Sequence, residues 1–308
     1  MIYKRLGLPY MGSKRKLAGK IIDKIIQDNG DIENFNDLFG GGGAVSFAAL
    51  QHPRIKNVHY NELNAGVVAL LRDIIDNGVT AKYYQWIDRD TFHEHKTHND
   101  WFGGLCKVVW SFGNDQRSYL FGKHIEDERR LMHEIIVNKS EHAAQQLSDK
   151  LGMEIPVPQG GLFGGVESRR LELQKLTKKG RIAQYLEHLQ QLQRLKYLRG
   201  IKELKITAKG YDKVAVHPSS IIYLDPPYDG TKQYEERVDH QELLRWIKSQ
   251  PNKIYVSGYE FDLPVVAEFK HRAIVSATVN NEVTERLFLW EGKNVQQKRT
   301  DKKEQSQK

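Results

Sequence analysis

Cysteine is nearly absent. Cys106 is the single one in 308 residues, which excludes an internal disulfide framework and any cysteine-rich zinc site. No apolar run approaches the roughly 18 residues that a membrane-spanning helix needs. The opening Met1-Ile2-Tyr3-Lys4-Arg5 leads into a glycine and more lysines instead of an apolar signal core, so a cytoplasmic location is expected. Nowhere does a Pro-Asp dipeptide occur, and a restriction-type nuclease core therefore has no footing. His93, His95 and His98 lie close together, yet with no cysteine nearby they read as a polar loop, and no metal site is expected.

Hydrophobic residues make up 39% of the chain and aromatics 10%, enough for a packed core and, at this length, about two domains. The net charge is +8, and its distribution says more than its sum. Eleven lysines and arginines fall between Arg169 and Lys205 against three glutamates, a local excess equal to that of the whole chain. Such a stretch fits a polyanionic partner, and equally a solvated helix face.

Leu17, Ile21, Ile22, Ile25 and Ile26 recur at helical spacing up to a stop at Gly30. Phe35–Phe39 then reads as a strand, Gly40–Gly43 as a turn and Ala44–Leu50 as a helix, followed by a strand at Val58–Glu62 and a helix over Asn64–Asn77. This β-α-β-α succession predicts an α/β domain with a parallel sheet. From residue 87 to 205 the pattern turns helical or irregular, with a glycine-rich loop at 156–165. An amphipathic helix there runs through Ile182, Leu186, Leu189, Leu192 and Leu195 and ends near Gly200. Strands return at Ser220–Asp225 and Lys253–Ser257, separated by a helix that opens on a capping box at Asp239–Glu242. Pro264 suits the first turn of a short helix. Ala273–Val279 and Val283–Trp290 flank Asn280-Asn281, a hairpin signal. The expected organisation is a sheet domain in two parts, 1–86 and 206–292, with an insertion at 87–205. A polar, basic tail at 293–308 is expected to be disordered.

Two stretches carry chemistry. The glycine run after Phe39 sits at a strand–helix junction, where small residues let a ligand reach the backbone. Glu62 follows Gly43 by 19 positions, at the end of the next strand, where an acid can take both hydroxyls of a ribose. An adenosine-containing cofactor is expected. The run lacks the third spaced glycine of G-x-G-x-x-G, which argues against a dinucleotide. The second stretch is Asp225-Pro226-Pro227-Tyr228, after the apolar Ile221-Ile222-Tyr223-Leu224. The prolines stiffen the turn and offer no N–H; Asp225 accepts hydrogen bonds, and Tyr228 presents a flat face. Such a device can grip a planar amine from its edge and its face.

With these motifs in this order, the chain resembles the Dam-type (D12 class, alpha group) DNA N6-adenine methyltransferases, which use S-adenosylmethionine. Pro9-Tyr10-Met11-Gly12-Ser13-Lys14 matches their N-terminal motif, and Phe39, Gly41 and Gly43 their F-x-G-x-G. Glu62-Leu63-Asn64 matches the ribose-binding acid motif, and residues 225–228 match D-P-P-Y. Phe102-Gly103-Gly104-Leu105-Cys106, Phe112-Gly113-Asn114 and Phe121-Gly122 look like the loop that approaches DNA. The likeness spans about residues 8–78, 102–122 and 220–290, whereas residues 130–215 have no counterpart.

The resemblance implies a Rossmann-like methyltransferase sheet, mainly parallel with a C-terminal antiparallel hairpin, plus a mainly helical target-recognition insertion. It implies that Tyr10, Lys14, Asp37, Phe39, Gly41, Gly43, Glu62 and Asp225 bind S-adenosylmethionine. Asp225, Pro226, Pro227 and Tyr228 would hold the target adenine. Asn114, Gln116, Arg117, Tyr119, Lys123, Arg169, Arg170, Lys178, Lys179 and Arg181 are candidates for contact with double-stranded DNA. A bacterial or phage-encoded restriction–modification role also follows from it, with no membrane or metal involved; a monomer is compatible. The chemistry agrees. The lone pair of an exocyclic adenine amine is conjugated into the ring, and acceptors on its N–H groups, the Asp225 carboxylate and the Pro226 carbonyl, would localise it. Tyr228 would stack on the flipped base, and transfer from a sulfonium needs only in-line positioning. Methylation at cytosine C5 is excluded, because Cys106 follows leucine and not proline. Cytosine N4 needs the same acceptors and stays open, as does a non-catalytic DNA-binding subunit that keeps a cofactor pocket.

Overall fold

The computed structural model describes residues 1–160, 165–176, 186–201, 203–227, 238–276 and 279–293; the side chains of residues 176 and 271–282 lie outside that description. The chain divides into two compact units, residues 1–68 with 201–308 and residues 69–200. The first unit therefore reaches less far at its N-terminal part than residue 86 and resumes earlier than residue 206.

The first unit holds a seven-stranded sheet of β1 (Ile32–Asp37), β2 (Ile55–Asn61), β3 (Leu204–Thr207), β4 (Ile221–Leu224), β5 (Lys253–Gly258), β6 (Val265–Ser276) and β7 (Val279–Trp290). The order is β3-β2-β1-β4-β5-β7-β6. β3, β2, β1, β4 and β5 run parallel, and β7 lies antiparallel to both β5 and β6. The α/β sheet with its antiparallel C-terminal hairpin is thus as expected from the sequence. β1 has β2 on one side and β4 on the other, so the strand order reverses between β1 and β4. Asp37 is in register with Tyr60 of β2 and Tyr223 of β4, which brings the carboxyl ends of three strands to one level. In open parallel sheets, ligands bind at that switch point.

Alternation explains how the sheet is covered. Ile221 and Tyr223 face one side with Phe35, Tyr255 and Leu287, where α1 (Ala18–Asn29) and α2 (Ala44–Leu50) pack. Ile222 and Leu224 face the other with Ile254, Val256 and Phe288, under Leu243 and Ile247 of the helix His240–Ser249. Ile21, Ile22, Ile25 and Ile26 form the buried stripe of α1, which ends at Gly30 with φ 75° and its N–H on Ile26 O. The Asp239 carboxylate accepts from the N–H groups of Gln241 and Glu242 and so caps the helix that follows it.

Several local expectations need correction. Phe102–Cys106 is not a loop but lies in the helix Trp101–Val109, with Gly103, Gly104, Leu105 and Cys106 buried, and His93 and His95 belong to the helix Arg89–His95. Pro264 opens no helix; it precedes β6, and its carbonyl accepts from Leu289 N–H at 2.9 Å, extending the ladder. Asn280 and Asn281 are not a turn but lie inside β7, opposite Ile274 and Ala273; the connection falls at residues 277–278, outside the described residues. Leu204–Thr207 belongs to the sheet and not to the insertion. It is an edge strand whose Leu-Lys-Ile-Thr alternation is obscured in the sequence by the surrounding lysines.

The boundary between the units falls within α3 (Ala65–Asn77). In the second unit the described elements are helical: α4 (Arg89–His95), α5 (Trp101–Val109), α6 (Glu126–Asn138), α7 (Glu141–Leu151), α8 (Val166–Leu176) and α9 (Glu187–Leu195). The helix His240–Ser249 of the first unit is α10. Leu189, Leu192 and Leu195 of α9 are buried, as their spacing requires. Trp86 stacks on Phe121 with centroids 5.7 Å apart, and Trp110, His133 and His188 close the cluster around them. Residues 182–185 of the expected helix and the expected tail beyond residue 293 lie outside the described residues. Among the described residues, no helix is long and apolar enough to cross a membrane, and no group of three or more His, Cys, Asp or Glu is placed to hold a metal.

Candidate active site

The carboxyl ends of β1, β2 and β4 carry a cluster of acids around the glycine loop. After β1 the chain turns tightly: Gly40 N–H donates to Asn61 O at 2.8 Å and Gly43 N–H to Gly40 O at 2.7 Å. Gly41 and Gly43 take φ of 49° and 77°, values that disfavour any side chain. The N-terminal segment crosses this loop, with Leu8 N–H on Gly42 O at 2.8 Å and the Tyr10 ring against Gly41. Glu62 is tied to the same loop. Its Oε2 accepts from Gly41 N–H at 2.8 Å and its Oε1 from Asn64 N–H at 2.9 Å. A carboxylate has about four acceptor positions, and such a group suits ligand hydroxyls.

Asp37 ends β1 and is buried. Its Oδ2 accepts from Ser46 Oγ at 2.7 Å, while Oδ1 is buried without a hydrogen-bond partner. Burial, reinforced by the nearby Asp225 and Glu62 charges, outweighs the Ser46 bond and pushes the Asp37 carboxyl up to about 7. Phe39 stacks on Tyr211 at 5.3 Å between ring centroids, and Tyr211 meets Trp246 edge-on at 5.1 Å.

β4 delivers Asp225, whose Oδ1 lies 2.8 Å from Lys14 Nζ. Lys14 is buried, and the Asp225 side chain is 20% exposed. Burial lifts the Asp225 carboxyl to about 6 against the pull of the Lys14 ammonium. Lys14 is in turn held protonated, because its carboxylate neighbours outweigh its own burial. Pro226 is buried, and the Pro227 carbonyl lies 2.8 Å from His240 Nε2. Tyr228 falls outside the described residues.

Seven residues singled out in the sequence, Tyr10, Lys14, Asp37, Gly41, Gly43, Glu62 and Asp225, thus assemble around one end of one sheet. The sequence model of the D12 class N6 adenine-specific DNA methyltransferase family matches residues 10–150 and 174–304. The chain belongs to this family. It is an adenine-specific DNA methyltransferase, and the match runs through most of residues 130–215, where motif reading found no counterpart. No curated protein matches the chain.

Two residues of the candidate site escaped the motif reading. His240 is the first residue of α10 and braces the proline turn through Pro227 O; its only sequence signal was its place after the cap Asp239. Glu285 on β7 is 2% exposed, and its carboxylate lies 3.6 Å from Lys14 Nζ. Its signal was a parity: Leu287 and Leu289 of the same strand face the core, and an acid in phase with them must point inward.

The candidates for DNA contact in the second unit divide. Tyr119 is a core residue: 5% exposed, it donates from its hydroxyl to Ile87 O at 2.7 Å, and the Arg89 guanidinium covers its ring at 4.8 Å. Arg169 is buried and donates to the carbonyls of Ile136 and Val137, at the end of α6. Arg170 is buried as well and makes a two-pronged pair with Glu167. These three side chains are committed to packing. Lys123 is exposed. Asn114 and Gln116 occupy a tightly held loop: both have positive φ, Asn114 Nδ2 donates to Val108 O at 2.8 Å, and Gln116 N–H donates to Ser111 Oγ at 3.1 Å. Arg117 and Ser118 N–H groups both reach the Asp115 carboxylate. Lys178, Lys179 and Arg181 lie outside the described residues.

Proposed function

We infer that this enzyme methylates adenine N6 within a specific sequence of double-stranded DNA, using S-adenosylmethionine and a base flipped out of the duplex. The observation that carries the reading is the pairing of two acids at one end of one sheet. Glu62 is fixed on the Gly41 amide beside the glycine loop, and Asp225 is fixed on Lys14 at the start of the proline turn. The first suits an adenosine ribose; the second suits an amine.

The residues present fit the methyl donor. Glu62 would take its ribose hydroxyls, Tyr10 and the bare Gly41 backbone would flank it, and the partnerless Asp37 Oδ1 would accept from a cationic or N–H group of it. When bound, S-adenosylmethionine supplies an electrophilic methyl carbon on a positively charged sulfur. Asp225 and the Pro226 carbonyl would accept the two N6–H groups and localise the amine lone pair on nitrogen. On transfer of that methyl group, with the carbon–sulfur electron pair left on sulfur, N6 would carry a positive charge and would pass one proton to solvent water. The ionised Asp225 stabilises the positive charge that develops on N6 meanwhile, in a site where a fixed acceptor needs no reorganisation. Tyr228 would stack on the extrahelical base. Contact with DNA is assigned to the loop of Asn114, Gln116, Arg117 and Lys123 and to Lys178, Lys179 and Arg181. A DNA-associated location in the cytoplasm accords with that substrate.

The test is chemical. The enzyme is incubated with labelled S-adenosylmethionine and duplex DNA, and the product is digested to nucleosides. Label in N6-methyladenine is expected; label in N4-methylcytosine would overturn the assignment of base.

A further inference from the structure

The Asp225–Lys14 pair is not isolated. Lys14 Nζ also faces the Glu285 carboxylate, 3.6 Å away on β7. Glu285 is 2% exposed and Lys14 is 6% exposed, in a strand whose neighbouring inward positions are Leu287 and Leu289. A buried acid among apolar inward-facing neighbours is destabilising unless it is paired. Packing alone would have been served by another leucine.

The charge count gives the acid a task. An ammonium and one carboxylate sum to zero, so a Lys14–Asp225 pair alone would exert little net field on an amine becoming cationic. Adding Glu285 leaves the three groups with one net negative charge. It also gives Lys14 a second anion to satisfy, which weakens its claim on Asp225. Other ionisable groups that interact with this cluster include Asp37 of β1 and the Tyr223 hydroxyl of β4, and the latter bonds Ser257 Oγ at 2.7 Å.

We propose that Glu285 is a positioning residue for methyl transfer: it holds and offsets Lys14, so that Asp225 keeps its acceptor strength for the adenine amine. This rests on the reading of Asp225 as the group that grips N6. Glu285 acts through Lys14 and touches no substrate.

The full-length enzyme is assayed on duplex DNA with labelled S-adenosylmethionine. For Glu285→Gln, kcat is expected to fall about tenfold or more, with KM for both substrates within about threefold, because the interaction removed matters most in the transition state. Without Glu285, Lys14 draws Asp225 more strongly into its ionised form, so the acid limb of the kcat–pH profile moves to lower pH. Glu285→Asp restores part of kcat. In a Lys14→Met background, Glu285→Gln should lower kcat by much less than it does in wild type, since the part of its effect that runs through Lys14 is gone. A Glu285→Gln enzyme with wild-type kcat and an unmoved pH profile, while Asp225→Ala is inactive, refutes the role of Glu285 alone. An active Asp225→Ala enzyme refutes the underlying reading instead. If Glu285→Gln does not fold, the pair of Lys14→Met and Lys14→Met/Glu285→Gln decides: equal kcat supports the role, and a further tenfold loss overturns it.

Discussion

Replacing Asp37 with asparagine should make stability less sensitive to pH while weakening donor binding. The wild-type carboxyl is 1% exposed, and only one of its oxygens is hydrogen-bonded, to Ser46. Burial moves its titration from an ordinary 3.8 to about 7. The folded value lies above the unfolded one, so between about pH 4 and 7 the native state binds more protons than the unfolded state. Stability on this account is greatest on the acid side and falls as pH rises through that window. About three units at 1.36 kcal/mol each give a loss on the order of 4 kcal/mol by pH 8. Asparagine has the same shape, keeps an oxygen for Ser46 and does not ionise. Its extra N–H carries a cost of its own, but one that does not change with pH. Urea denaturation of donor-free wild-type and Asp37→Asn proteins at pH 4.5, 6 and 8 reads the effect as a difference, in which titrations remote from Asp37 cancel and its coupling to the Asp225 and Glu62 charges is retained. The variant should gain on wild type by several kcal/mol between pH 4.5 and 8, while binding S-adenosylmethionine more weakly at pH 8. A stability difference that stays flat across this range would refute the claim that burial disfavours the charged form of Asp37.

Two further outcomes follow from the same geometry. Glu62→Gln should raise KM for the donor roughly 10- to 100-fold, as expected when a charge-assisted hydrogen bond of about 1.5–3 kcal/mol is lost, and should also lower stability, because the one acceptor oxygen of glutamine can serve only one of the Gly41 and Asn64 N–H groups; an unchanged donor KM in steady-state kinetics would remove Glu62 from the site. Neutralising Lys178, Lys179 and Arg181 together should weaken DNA binding and flatten its dependence on salt, by about 0.9 in the log–log slope for each phosphate that no longer meets a cation. An unaltered slope in a fluorescence titration would place the DNA surface elsewhere.

The parts of this enzyme that were legible in its sequence are those where local chemistry dictates local structure. Gly40–Gly43 announced a turn that excludes side chains, and a Cβ on Gly42 would indeed stand 2.7 Å from Leu8 O. The isoleucine spacing of α1 and the Asp239 cap stated their helices outright. What escaped depends on tertiary context. Glu285 looks like one charged residue among several in a hairpin until Lys14, distant in sequence, is brought beside it. Arg169 and Arg170 contributed to a basic segment that suggested phosphate binding, yet their guanidinium groups satisfy helix-end carbonyls and a glutamate inside the fold. Tyr119 misled for a related reason: an aromatic with a polar tip serves a core or a nucleic-acid surface equally well, and its burial decides. The edge strand β3 was hidden because an edge tolerates lysine and needs few apolar residues.

The central claim is that Asp225, fixed by Lys14 at the end of β4, grips the amine that is methylated. Single-turnover methylation of duplex DNA by wild type and Asp225→Ala, with donor binding measured alongside, tests it most directly. The account predicts N6-methyladenine as the wild-type product and a rate loss of roughly a hundredfold or more in the variant, with donor binding largely retained. Wild-type turnover by Asp225→Ala would contradict it.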